Sequence, residues 1–460
     1  MKLTFQPSDK PKFGQLIVFA IQQLLAIMAA TLVVPIITSN PVDPYACGNP
    51  DMSPAAALFG AGVGTLVYVL FTRKKSPVFL GSSFAFLGSM AAAFAGAATV
   101  AVGYLGLIIG AVLAGLVYVV IAIAVKFAGV EWLNKLMPAA VIGPTVAIIG
   151  LGLAGNAIGD LQNSGTGTGA TLLCVLCGIV TLFTVVLCSS FGKKMVKLIP
   201  FIIGILAGYA LAAIFTVIGI ASGNEALQIT NFGVFSSLVE GGVGLGTFVS
   251  LPKFTFLSAL GGFSDLSGQY IGTIAAAYIP VAFVVFAEHV ADHKNISSII
   301  EHDLLDDPGL SRTLLGDGVG SMAGALFGGC PNTTYGESIA CVAITGNASV
   351  ATIIAAAVGA ILISFLSPFV AFVNSIPSCV MGGVCVALYG FIAVSGLKMV
   401  QKVDLEQNHN LFVVSTILVC GIGGLSLNFG AITITAVATA LILGILVNVM
   451  LNAGEKKAKK

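Results

Sequence analysis

The charged residues of this 460-residue chain are swept into short gaps between long apolar runs, and that distribution leaves few folds open. Only 8% of the residues are Asp, Glu, Lys or Arg, whereas 57% are hydrophobic. Soluble domains carry roughly a quarter charged residues, so this chain has too little polar surface to shield its apolar surface from water. Runs of roughly 20 apolar residues cross a bilayer as helices, and the expected fold class is an all-α polytopic membrane protein. The 56 glycines fit that class, because small residues let helices approach closely where burying Leu against lipid gains nothing. A net charge of +1 without a basic stripe gives nucleic acid nothing to bind. No short apolar segment with a small-residue cleavage site precedes the first long run, so no removable signal peptide is expected.

Hydropathy and chain breaks place fourteen segments near 15–37, 54–71, 77–95, 99–125, 136–155, 169–191, 198–221, 272–292, 311–328, 335–346, 350–373, 378–396, 409–428 and 431–452. Segment 3 is broken by Gly81, Ser82 and Ser83, and segment 10 is too short to cross as a full helix. With the N-terminus cytoplasmic, nineteen of the twenty Lys and Arg fall on the cytoplasmic side, Lys253 being the exception. Positive residues concentrate on that side, and one missed helix would invert everything after it. Both termini are therefore expected in the cytoplasm.

Two halves of seven segments would have opposite orientation. The run from Pro138 to Gly143 opens segment 5 and that from Pro377 to Gly382 opens segment 12; both read P-x-x-V-x-G. Ser83-Phe84 and Thr334-Tyr335 interrupt segments 3 and 10 at matching depths. Interrupted helices at corresponding positions of inverted halves point to a transporter's binding site, because irregular backbone at membrane depth survives only in protein or along a cavity.

Three acidic residues stand in apolar surroundings. Glu288 ends the run IPVAFVVFAEH, Asp292 follows one turn later on the same face, and Glu337 follows the PNTTYG break. A charge at the bilayer centre costs at least about 2.5 kcal/mol on insertion scales, so such a residue is presumed functional. A carboxyl that takes up and releases a proton is the simplest coupling device in this sequence. The structural alternatives are a helix end touching water for Glu288 and Asp292, and a capping or interhelical hydrogen bond for Glu337. His289, about 100° round the helix from Glu288, reads as a packing residue, and His302 and His409 as loop residues. The order E-H-V-A-D-H from Glu288 to His293 departs from the H-E-x-x-H of zinc proteases, so no metal is expected. Cys174 and Cys177 form a C-x-x-C without a partner pair and read as helix-packing residues, as do Gly60 and Gly64.

The stretches QQLLAIMAATLVVPI (22–36), GSSFAF (81–86), VVFAEHV (284–290), DLLDDPGLSRTLLGDGV (303–319), PNTTYGESI (331–339), AIT (343–345) and VMGGVCVALYG (380–390) together resemble the nucleobase–ascorbate transporter family, and within it the bacterial uracil permeases. The resemblance implies fourteen segments in two inverted repeats of seven, with short extended strands in segments 3 and 10. It implies a core domain (1–130 and 255–375) and a gate domain (131–254 and 376–460), no cofactor, no enzymatic activity, and import of a nucleobase with a proton across the cell membrane. A homodimer in membrane lipid is the family's frequent state. By the same resemblance Glu288 and Glu337 grip the base, backbone groups at Phe84 and Gly336 hydrogen-bond it, and Ala30, Tyr335 and Tyr389 line the pocket. Proton coupling falls to Glu288, Asp292 and Glu337.

Three positions depart from the family pattern: Asp292 where close uracil permeases have His, Gln23 where the first segment reads Gln-His, and Ser338 where Asn is usual. Purine-transporting relatives often carry Asp at the first of these, whereas Glu337 is the choice of the uracil branch. Uracil is the expected substrate and xanthine the alternative. An anion transporter of the same architecture is a further rival, opposed by the two carboxylates, which would repel an anion.

Overall fold

The apolar runs fold as helices because nothing in hydrocarbon can satisfy an unpaired backbone group. The computed structural model describes residues 3–39, 44–129, 131–193, 195–240, 242–429 and 432–458. Lys2, Lys194, Lys459 and Lys460, counted in the charge asymmetry, lie outside them. In the first half, α1 (Phe13–Ser39), α2 (Pro54–Phe71), β1 (Leu80–Ser82), α3 (Leu87–Ala95) and α4 (Val100–Ala128) precede α5 (Ala139–Leu161), α6 (Thr171–Phe191) and α7 (Pro200–Ser222). The second half holds α8 (Gly268–Ile300), α9 (Leu310–Gly328), β2 (Asn332–Thr334), α10 (Gly336–Thr345), α11 (Val350–Ile363), α12 (Ser378–Val400), α13 (Asn408–Ile422) and α14 (Ala436–Ala458). Among the described residues, nine of these helices are long and apolar enough to cross a membrane. This is a multi-pass membrane protein.

Several expected boundaries move. Segment 8 runs on to Ile300, so Glu288 and Asp292 sit well inside a 33-residue helix rather than at its end. The eleventh segment breaks after Ile363 and resumes as a separate helix, Ser367–Ser375. The thirteenth stops at Ile422, and a hairpin of β3 (Leu427–Phe429) and β4 (Ile432–Ile434) takes up the chain expected to be helix on either side of residue 430. Hydropathy does not distinguish a short apolar strand from an apolar helix end. His409 lies in the first turn of α13, not in a loop.

The helices pack in two groups. In one, α2 lies against α9 and α11, α4 against α8 and α9, and α1 against α2, α10 and α11. In the other, α12 lies against α5 and α6, α6 against α7, and α13 against α5 and α14. The α2–α9 seam is one of the close backbone approaches. A β-carbon at Gly64 would sit 2.7 Å from the Gly320 carbonyl oxygen, and one at Gly320 would sit 2.7 Å from the Gly64 carbonyl oxygen. Gly60 and Gly64 are packing residues, as expected, and they meet Gly324 and Gly320 across the seam. Cys379 of α12 meets both Cys174 and Cys177 of α6, so the C-x-x-C has one further cysteine beside it, and all three are buried.

Candidate functional site

The two interrupted segments meet. β1 and β2 pair antiparallel in the register Leu80 with Thr334, Gly81 with Thr333 and Ser82 with Asn332. The ladder extends at both ends: Ser83 N–H donates to Pro331 O (2.9 Å), and Tyr335 N–H donates to Phe79 O (3.2 Å). Both strands are buried, and neighbours hold them. Leu80 N–H donates to Thr65 Oγ1 of α2 (2.9 Å), and Asn332 Nδ2 donates to Gly60 O (3.1 Å). Gly81 admits the Tyr335 ring, which a side chain there would strike. Tyr335 OH in turn donates to Ser82 O at 2.6 Å.

Each strand runs into a helix start. A 3₁₀ turn, Phe84–Phe86, leads from β1 into α3, and α10 begins at Gly336 straight after Tyr335. The first N–H groups of a helix have no intrahelical partner and carry a partial positive charge. Those of α10 begin at Gly336, where a β-carbon would meet nothing within 4 Å, so the backbone there borders open space.

Glu337 lies in the first turn of α10. Glu288, on α8, is accessible rather than packed away, and Glu337 and Asp317 lie within its electrostatic reach. Asp292 Oδ2 accepts from Thr334 Oγ1 at 2.8 Å, which ties α8 to β2. Across the cleft, the Tyr389 ring of α12 stands edge-on to Phe84, with centroids 6.1 Å apart. Ala30 of α1 is buried in the cluster that holds Leu80 and Tyr335. The residues that the resemblance named thus gather around one ladder, on both sides of the boundary between the two helix groups. Two of the departures from the family pattern also meet: Gln23 Nε2 donates to Ser338 Oγ, which accepts from Phe79 N–H as well (3.0 Å).

Sequence reasoning missed a second polar cluster behind α8. His289 is not a packing residue. Its Nδ1 hydrogen-bonds Asp317 Oδ2 of α9 at 2.7 Å, and its Nε2 meets the Thr313 hydroxyl at 3.0 Å. His293 Nδ1–H donates to His289 O at 2.8 Å, and its Nε2 meets Tyr68 OH at 2.6 Å. Both histidines and Asp317 are buried, and the two imidazoles stack with centroids 4.0 Å apart. Among the described residues, Asp317 Oδ1 has no partner. Asp317 lies amid small residues in the run LLGDGVGSMAG, and its acid within that otherwise uncharged helix stretch was the available signal. No group of three or more His, Cys, Asp or Glu suited to a metal ion occurs among the described residues.

Comparison with known proteins follows the same lines. The Xan_ur_permease model, a permease family, matches residues 14–429. A uracil permease of Bacillus caldolyticus is 38% identical over 96% of this chain and 93% of its own length. A uracil permease of Bacillus subtilis (strain 168) is 36% identical over 99% and 97%. Among solved structures, the transmembrane domain of a cyanobacterial bicarbonate transporter, BicA, superposes with a TM-score of 0.60 over 96% of this chain and 100% of that one. At 15% identity that likeness speaks for the fold alone.

Proposed function

Since the chain belongs to this permease family and is a transporter rather than an enzyme, we propose that it is a secondary active symporter that carries uracil with a proton into the cell. One observation carries this reading. The β1–β2 ladder brings the start of α10, with Glu337 in its first turn, beside α8, which carries Glu288 and Asp292, while Phe84 at the end of β1 meets Tyr389 of α12. Uracil offers ring N–H donors and carbonyl acceptors on a flat face. A carboxylate accepts from N–H, helix N–H groups donate to a carbonyl, and aromatic rings cover the faces. A site of buried polar groups rejects analogues that leave those groups unpaired.

In this reading the fourteen segments form two inverted repeats of seven in the cell membrane, with both termini cytoplasmic. Residues 1–130 and 255–375 act as the core and 131–254 and 376–460 as the gate, in agreement with the two packing groups. Glu288, Asp292 and Glu337 exchange the coupled proton, and the chain works as a homodimer. Xanthine is the second reading, favoured by Asp292 on the site face of α8.

The test is uptake of labelled uracil into cells or proteoliposomes, with unlabelled uracil or xanthine in excess and with or without a protonophore. Unlabelled uracil should abolish uptake, xanthine should leave most of it, and the protonophore should collapse accumulation. Uptake indifferent to the protonophore would end the proton claim, and stronger competition by xanthine would transfer the substrate assignment to purines.

A further inference from the structure

On the lysine-rich side of the molecule, residues of α4, α5, α8, α12 and the start of α9 line an open cavity of about 1020 Å³ between the two helix groups. Lys126 and Lys294 stand on the core wall, and Lys398 and Lys402 face them from the gate wall. The remaining lining is mainly apolar, with Val125, Ile142 and Phe286 among it, and no carboxylate is among its described residues. Among the described residues, no ion pair engages any of these four lysines. Lys75, another cation expected on this side, is by contrast held by Asp307 at 2.5 Å. Among the described residues, a counter-charge meets Lys75 and none stands in the cavity lining.

We infer that this cavity binds the phosphate headgroup of an anionic membrane phospholipid, which bridges the core and gate walls. The inference rests on the core-and-gate reading above. Four like charges face one another across a crevice that must narrow when the transporter changes state, and their repulsion grows as water leaves. An anion between the walls offsets it. The apolar lining suits the glycerol and acyl chain of a lipid better than a free ion. Lys126 and Lys398 stand in the last turns of α4 and α12 and Lys402 just beyond α12, where flexible stems carry ammonium groups to the headgroup layer. Basic pockets between transmembrane helices are built to take such headgroups, and each lysine near the surface strengthens the attraction about five-fold.

Trp132, the only tryptophan of the chain, lies on the short helix Glu131–Leu136, in sequence between the lining residues Gly129 and Met137. It reports binding without transport. The full chain is reconstituted in phosphatidylcholine vesicles with brominated phosphatidylglycerol or brominated phosphatidylcholine as quencher. Brominated phosphatidylglycerol should quench at the lower mole fraction. In the Lys294→Gln/Lys398→Gln double variant its midpoint should rise roughly 25-fold, by two lysines' worth of attraction. Equal quenching of the unaltered protein by the two lipids overturns the proposal. So does loss of the difference on adding millimolar inorganic phosphate, which would assign the cavity to a free anion. Uptake gives a second arm. The unaltered protein should transport faster with phosphatidylglycerol, whereas Lys398→Glu, which supplies its own anion opposite Lys294, should not. A Lys398→Glu variant as lipid-dependent as the parent sinks the idea. Selective quenching without nucleobase uptake in any vesicle would count against the transport reading and leave lipid binding standing.

Discussion

Glu337 and Glu288 occupy different positions in the physics of the site. Glu337 sits in the first turn of α10, where the helix dipole favours a negative charge, whereas Glu288 projects from mid-helix into accessible space. Hydrogen bonds to charged groups contribute about 1.5–3 kcal/mol. Glu337→Gln should therefore weaken uracil binding by about 10- to 100-fold while the fold persists, as read by displacement of labelled uracil from purified protein. Asp292→Asn keeps an oxygen to accept from Thr334 and removes a titratable carboxyl. Binding should survive, and gradient-driven accumulation should fall at least several-fold. Full accumulation in that variant would release Asp292 from the coupling role. The buried His289–Asp317 pair calls for a stability measurement instead. Leaving a buried polar group unsatisfied costs roughly 1–3 kcal/mol, so Asp317→Ala should lower the thermal midpoint in detergent below that of Asp317→Asn, which retains a hydrogen-bonding group for His289.

The elements owe their geometry to small residues and to two strands only three residues long. Such a ladder has no independent stability. It persists because α2 and α9 bring Thr65, Gly60 and Asn332 to it, and they can do so only because Gly64 and Gly320 let the two backbones nearly touch. A branched side chain at the seam forces the helices apart and takes the ladder with them. Gly320→Val should cost at least the 1–3 kcal/mol typical of overpacking, with loss of uracil binding in whatever fraction remains folded. Gly81→Ala is the gentler probe: its methyl strikes the Tyr335 ring without touching the α2–α9 seam. Binding should fall more than thermal stability does. The reverse pattern would remove Tyr335 from the pocket.

For the whole molecule, orientation is the open quantity that one labelling experiment decides. Cys47 lies in the loop between α1 and α2, opposite the lysine-rich end, and Ser395 lines the lysine-rich cavity. In a background where the other cysteines are replaced by Ser, a membrane-impermeant thiol reagent outside intact cells should label Cys47 and leave Ser395→Cys unlabelled. Inside-out vesicles should reverse the result. Labelling of both from one side would overturn the proposed topology.

The sequence by itself determined the class of fold and most of the segments. Long apolar runs must bury their backbone polar groups in helices, and the few charges must stay in the gaps. It also singled out segments 3 and 10, because a run that is too short or too rich in Gly and Ser to cross is visible without coordinates. Their pairing is a tertiary fact: Leu80 and Thr334 meet only when α2 and α9 bring them together, more than 250 residues apart in the chain. The same holds for Asp317, which by hydropathy is one acid in a weakly apolar helix and in the fold is the partner of His289. The contact of Gln23 with Ser338 belongs here too, since two separate departures from the family pattern become one hydrogen bond. Local pattern fixes which groups must be hidden from lipid. Which group satisfies which depends on helix packing, and that is decided by backbone approach distances at glycines that hydropathy scores as neutral.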